Sequence, residues 1–127
     1  MNVHNGSKFL HEAIDSALTQ TYENFEIILW DNHSTDNTRE VVKSYSDQRI
    51  KYFYSKEFTS LGEARNRAIK KSSGELIAFL DSDDIWMPNK LELQIPMFNN
   101  RDVGIVISDT VFFDECRTRR QLFRKKK

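Results

Sequence analysis

Among 127 residues there is one cysteine, Cys116, which excludes an internal disulfide and fits a reducing compartment. Cys116 itself reads as an ordinary structural thiol. No run of eighteen apolar residues occurs, so the sequence encodes no membrane-spanning helix. Met1-Asn2-Val3-His4-Asn5-Gly6 has neither the basic nor the apolar region of a signal peptide. A cytoplasmic setting is expected, at the inner face of the membrane if the basic tail described next touches lipid. Internal repeats and low-complexity linkers are also missing. The length suits one domain, and a hydrophobic fraction of 39% suffices for a core.

Net charge is absent too, but the zero hides an asymmetry. All 19 acidic residues lie at or before Glu115, whereas seven of the 19 basic ones follow Cys116: Arg117, Arg119, Arg120, Arg124, Lys125, Lys126 and Lys127. The chain therefore divides into an acidic body, 1–116, and a basic tail, 117–127. An acidic body argues against nucleic acid as a partner, because duplex binding is led by neutralisation of phosphates. The tail reads as a solvated end, with peripheral contact to an anionic membrane as the alternative.

Helical and strand patterns alternate along the body. Ser7 is a candidate N-cap for a helix whose stripe is Phe9, Leu10, Ala13, Ile14, Ala17 and Leu18. Residues 25–30 form a strand, followed by the loop Asp31 to Asp36 and a helix to about Tyr45. Residues 49–54 read as a short strand, 61–71 as a helix with Ala64, Ala68 and Ile69 inward, and 75–80 as a strand. Pro88 lies in the first turn of the next helix, which Pro96 should kink or end. Residues 104–108 form a further strand, and Val111-Phe112-Phe113 starts another. The expected fold is an α/β sandwich on a mostly parallel sheet.

The chain looks incomplete at both ends, with only a stub of an opening strand and no closing helix. Such a sheet is expected to expose unpaired edge groups and the apolar side of the helix Phe9 to Leu18. Marginal stability and a homodimer, or aggregation, would follow unless a partner covers that surface.

The most informative junction is Leu76-Ile77-Ala78-Phe79-Leu80 running into Asp81-Ser82-Asp83-Asp84. The apolar run reads as a strand buried on both faces. Three carboxylates within four residues repel one another and must face solvent or meet a cation. Ligands in open α/β sheets sit outside the carboxyl ends of strands, where oxygen donors suit Mg2+ or Mn2+ carrying a diphosphate. A solvated acidic turn is the bland alternative. Two more loops, around Asn5-Gly6 and at 31–36, project from the same edge. Arg65 is placed to reach a diphosphate or a base, or else to form a surface ion pair.

Five motifs in register resemble family 2 glycosyltransferases of the GT-A fold. They are Asn2-Val3-His4-Asn5-Gly6 for Pro-x-Tyr-Asn-Gly, and Gln20 to Ile28 for Gln-Thr-Tyr-x-x-Phe-Glu-Ile-Ile. Asp31-Asn32-His33-Ser34-Thr35-Asp36 stands for Asp-Asp-Gly-Ser-Thr-Asp, and Gly62 to Asn66 for Gly-x-Ala-Arg-Asn. Asp81 to Asp84 with Trp86, Pro88 and Lys90 stands for Asp-x-Asp-Asp and Trp-x-Pro-x-Lys. The resemblance implies a nucleotide-sugar donor, usually a UDP-sugar, held by Asn5, Asp31, Arg65, Asp81 and Ser82. It implies Asp31 at the base, Arg65 near base or diphosphate, Asp81 at the ribose, and Asp83 on a divalent Mn2+ or Mg2+. Attack by an acceptor hydroxyl, on a glycan, a lipid-linked sugar or a protein, would invert the anomeric carbon with a general base. That base is expected downstream of residue 127, and Asp109 is not assigned to it.

Departures from the pattern are Asn32 and His33 for Asp-Gly, Asn2 for Pro and His4 for Tyr, the last two weakening the expectation of base stacking. A non-catalytic nucleotide-binding or interaction module on the same scaffold is the rival. A receiver-type phospho-switch fails, because it needs its acidic pair near a first strand.

Overall fold

The structure, a computed structural model, describes residues 1–113 and the backbone of 119–121. The expected boundary at 116/117, Cys116 and most of the basic tail lie outside the described residues. Two compact units are present, Met1–Leu93 and Gln94–Lys127.

The first unit is built on a parallel sheet of order β1-β2-β3, with β1 at Asn2–Val3, β2 at Ile27–Asp31 and β3 at Ile50–Tyr54. In register, Asn2 faces Trp30, Ile27 faces Ile50 and Asp31 faces Tyr54. Helices α1 (Leu10–Leu18) and α2 (Thr38–Lys43) are the crossovers between successive strands, and α3 (Leu61–Ile69) follows β3. The five residues of β2 are all buried, and successive side chains serve opposite faces. Leu29 packs with Val3, Leu10, Ile14 and Val42 on the α1–α2 side. Ile28 and Trp30 pack with Ala64 and Ala68 on the α3 side, where small residues let the helix approach the sheet.

Several expected elements shift or disappear. Helix α1 begins at Leu10 with Phe9 as N-cap and no side-chain cap bond, so Ser7 does not cap it. The Ser7 amide is instead satisfied by Asp36 Oδ2 at 3.0 Å, a partner 29 residues away that local sequence cannot reveal. The apolar stripe of α1 is covered at Leu10, Ala13, Ile14 and Ala17, which are buried, while Phe9 ahead of the helix is 38% exposed. Helix α3 is capped by Ser60, whose hydroxyl accepts the Glu63 amide at 3.3 Å.

Residues 76–80 do not form a strand buried on both faces. Leu76, Ile77 and Phe79 are 45%, 43% and 57% exposed, and only Leu80 is buried. A strand needs a neighbouring backbone, and β1 offers this segment one parallel bridge, Asn2 to Asp81. What lies most uncovered is therefore this edge, with Leu76, Ile77 and Phe79 more exposed than Phe9. Residues 104–108 in the second unit are likewise irregular, with Ile105 and Ile107 exposed. Helix α4 (Lys90–Gln94) gives way to a 3₁₀ helix at Ile95–Asn99 with Pro96 in its first positions, as expected of a proline that cannot donate. Strands β4 (Val111–Phe113) and β5 (Arg119–Gln121) pair antiparallel.

Candidate functional site

Three loops meet at the carboxyl edge of the parallel sheet. The first follows β1, where Asn5 takes a left-handed conformation (φ 52°) that asparagine tolerates. Its amide donates to Ser34 Oγ at 2.9 Å, and its Oδ1 accepts the Thr35 amide at 2.8 Å, locking it to the loop after β2. Gly6 then donates its amide to Thr38 Oγ1 at 3.1 Å. A Cβ on Gly6 would stand 2.6 Å from Val3 Cγ2 and 3.2 Å from Ser82 Oγ. Glycine here is what lets the acidic loop close against β1. Gly6→Ala is expected to destabilise the protein by about 1–3 kcal/mol through overpacking, read in a denaturant titration.

In the second loop Asp31 is only 1% exposed. Its Oδ1 accepts the Ser34 amide at 2.8 Å and its Oδ2 the Tyr52 hydroxyl at 2.6 Å. Burial, then the Asp31 carboxylate beside it, keep the Tyr52 phenol protonated well beyond its ordinary range. Asn32 is buried and latched to the loop after β3: its Nδ2 donates to Thr59 O at 2.8 Å, and its Oδ1 accepts Thr59 Oγ1 at 3.0 Å. His33 occupies the left-handed region (φ 67°) with its ring 6.0 Å from that of Tyr54. Tyr52 and Thr59 escaped sequence reasoning. Alternation along β3 places Tyr52 opposite Leu29, on the same face as Asp31, which was a usable signal; nothing local marks Thr59.

Asp36 closes the loop. Burial alone would raise its carboxyl, but hydrogen bonds from Thr38 and Ser7 outweigh it and hold the group down to about 2. Because the folded value lies below the unfolded one near 4, this stabilisation is full above pH 4 and is lost as pH falls from 4 to 2. Asp36→Asn is therefore expected to flatten the decline of unfolding free energy over that interval, measured by urea titration at stepped pH.

The third loop carries the acidic cluster. Arg65, on α3, donates from its guanidinium to Asp81 Oδ1 at 2.8 Å, with both side chains partly exposed, and its guanidinium stands 5.7 Å from the Phe79 ring. As an exposed pair this contributes little stability, but it sets a cation beside a carboxylate at the strand ends. Asp83 is exposed and accepts no hydrogen bond from another described side chain. Burial, then Asp83 and Asp81, raise the Asp84 carboxyl above its usual range. The segment behind the loop is held by Gln20, whose Nε2 donates to Met87 O at 2.7 Å and whose Oε1 accepts the Leu91 amide at 3.1 Å.

Among the described residues no three His, Cys, Asp or Glu side chains converge as a metal cage. A Mg2+ or Mn2+ site that draws most of its ligands from water and substrate phosphates needs only one or two carboxylates. The free, exposed Asp83 beside Asp81 fits that requirement. The structure thus brings Asn5, Asp31, Arg65, Asp81 and Ser82 to one edge of the sheet, with Asp83 at the rim.

A parallel α/β sheet with flanking helices and these loops at its carboxyl edge is the GT-A architecture. The chain matches glycosyl transferase family 2 over residues 1–126 and belongs to that family. It is 43% identical over 106 residues to WfgD of Escherichia coli, a UDP-Glc:alpha-D-GlcNAc-diphosphoundecaprenol beta-1,3-glucosyltransferase, covering 84% of this chain and 42% of that protein. It is 36% identical over 100 residues to TuaG of Bacillus subtilis, a putative teichuronic acid biosynthesis glycosyltransferase, covering 77% and 40%. The 1–349 portion of S. aureus TarS in complex with UDP superposes with a TM-score of 0.74 at 27% identity, covering 80% of this chain and 31% of that one. The same portion in complex with UDP-GlcNAc gives 0.68 at 28% identity, covering 80% and 30%. The chain spans about two fifths of the length of WfgD and TuaG.

Proposed function

We propose that this chain is the donor-binding part of a metal-dependent, inverting glycosyltransferase that uses a UDP-sugar. The observation that carries the reading is the meeting of Arg65 and Asp81 at the carboxyl edge of the sheet, 2.8 Å apart, with Ser82 next in the chain and packed close to Gly6. Family membership and the UDP and UDP-GlcNAc complexes of TarS support it.

In this reading Arg65 turns from Asp81 toward the diphosphate and Asp81 is released to the ribose. Asp83 holds Mn2+ or Mg2+, which when bound neutralises charge on the leaving diphosphate. Asp31, buried and doubly bonded, serves by holding its loop as much as by direct contact with donor. The acceptor is a hydroxyl on a glycan or lipid-linked sugar, the latter being the acceptor class in the name of WfgD. Inversion would follow from in-line attack assisted by a base outside this chain.

Calorimetric titration with UDP in manganese buffer tests the reading. Saturable binding near one UDP per chain is expected, and no heat at millimolar UDP would overturn it.

A further inference from the structure

The acidic loop is tied down mainly from one side. Ahead of it, residues 76–80 form no strand, and the tie to the sheet is the parallel bridge between Asn2 and Asp81. Behind it, residues 86–92 are fastened to the end of α1 and the residues just after it by a row of hydrogen bonds. The Trp86 amide donates to Ser16 Oγ at 3.1 Å. Gln20 Nε2 donates to Met87 O at 2.7 Å, and its Oε1 accepts the Leu91 amide at 3.1 Å. Thr21 follows, its amide donating to Pro88 O at 2.9 Å and its hydroxyl to Glu92 Oε2 at 2.6 Å.

Ser16 and Gln20 are buried polar residues, 7% and 4% exposed. Ser16 Oγ also donates to Ala13 O at 2.8 Å, and Gln20 Nε2 to Ser16 O at 3.1 Å, so both side chains are anchored in α1 as well. A buried amide with matched partners fixes position sharply, because any slip of the segment leaves a donor or an acceptor unpaired. Four residues, Ser82 to Ile85, lie between the bridge at Asp81 and the anchor at Trp86, and the Asp84 amide closes a turn onto Asp81 O at 3.2 Å. Asp83 stands within that span, exposed and with no bond from another described side chain to hold it. Its place is set by the two ends.

We infer that Gln20, helped by Ser16, is a positioning residue for the metal carboxylate, so that the end of α1 sets where Asp83 stands and how well the site holds a divalent cation. The inference rests on the donor-site reading above. It assigns the geometry of the metal site to two neutral, buried side chains outside the acidic loop. Loss of partners that orient metal ligands from outside typically costs roughly 10- to 100-fold in metal affinity. Arg65 is carried by α3, which packs on Ile28 and Trp30 and takes no part in this tether.

The test titrates the 127-residue chain with UDP in manganese buffer and in chelator, beside amide hydrogen exchange. Gln20→Met keeps the side-chain length and removes the bonds to Met87 and Leu91. Its gain in UDP affinity from manganese is expected to shrink from at least about tenfold to below about threefold. Its affinity in chelator should stay within about twofold of the parent, since Arg65 is independently held. The Leu91 amide should exchange faster in this variant while α3 is unchanged. Ser16→Ala should lose part of the manganese gain and expose the Trp86 amide, and it decides alone if Gln20→Met does not fold. Val42→Ala, a truncation in the buried core on α2, controls for lowered stability and should keep the parent's gain. A parent-like gain in the deciding variant, an equal loss in Val42→Ala, or an equal fall in manganese and in chelator overturns the inference while leaving the donor site intact. A parent that binds UDP no better in manganese than in chelator overturns the metal assignment itself, and the inference with it.

Discussion

Leu29→Ala is expected to lower the unfolding free energy by about 2–5 kcal/mol, the cost of emptying a fully buried leucine site. Leu29 is 0% exposed at the middle of β2, the central strand of the three-stranded sheet. It packs with three elements of the first unit, through Val3 on β1, Leu10 and Ile14 on α1, and Val42 on α2. Domains are stable by only about 5–15 kcal/mol, so this loss is a large share of the total. Ile105→Ala, at a position 79% exposed, should stay within about 0.5 kcal/mol of the parent. Urea unfolding followed by tryptophan fluorescence reads both, since Trp30 sits on β2 itself. Two variants with equal effects would mean that β2 is not the centre of the core.

The second large effect concerns the proposed metal. UDP affinity should fall at least about tenfold when manganese is replaced by chelator, because a diphosphate cannot approach Asp81 and Asp83 without a cation between them. Asp83→Asn should bind UDP in manganese only as well as the parent does in chelator, with an unchanged urea midpoint, since its side chain is exposed and carries no packing. Asp81→Asn should behave differently. It also frees Arg65 from its 2.8 Å partner, so UDP affinity in chelator is expected to rise slightly while the response to manganese shrinks. Calorimetry of the three proteins under the two conditions separates these roles. Full manganese dependence in Asp83→Asn would remove Asp83 from the metal assignment.

Periodicity alone was enough for the core of the first unit. The stripe Leu10, Ala13, Ile14 and Ala17 predicts α1, and the buried run ending at Trp30 predicts β2, because side-chain burial follows the 3.6- and 2-residue periods of regular backbone. The same rule misplaced residues 76–80 and 104–108. Five apolar residues declare a wish to be buried, but strand formation also requires a second backbone alongside, and hydrophobicity does not say whether one is there.

The site divides in the same way. Sequence by itself pointed to the residues at the edge: Asn5 follows β1, Asp31 ends β2, Arg65 lies on the helix after β3, and Asp81, Ser82 and Asp83 follow an apolar run that bridges to β1 at Asp81. Only the tertiary structure decided what each is free to do. Asp31 is engaged by Tyr52 and Ser34, Ser7 caps no helix and gives its amide to Asp36, and Asn2 is left with a donor and no acceptor. The Tyr52 and Ser7 contacts join residues 21 and 29 positions apart, and hydrogen-bond partners at that separation are chosen by packing, not by local pattern.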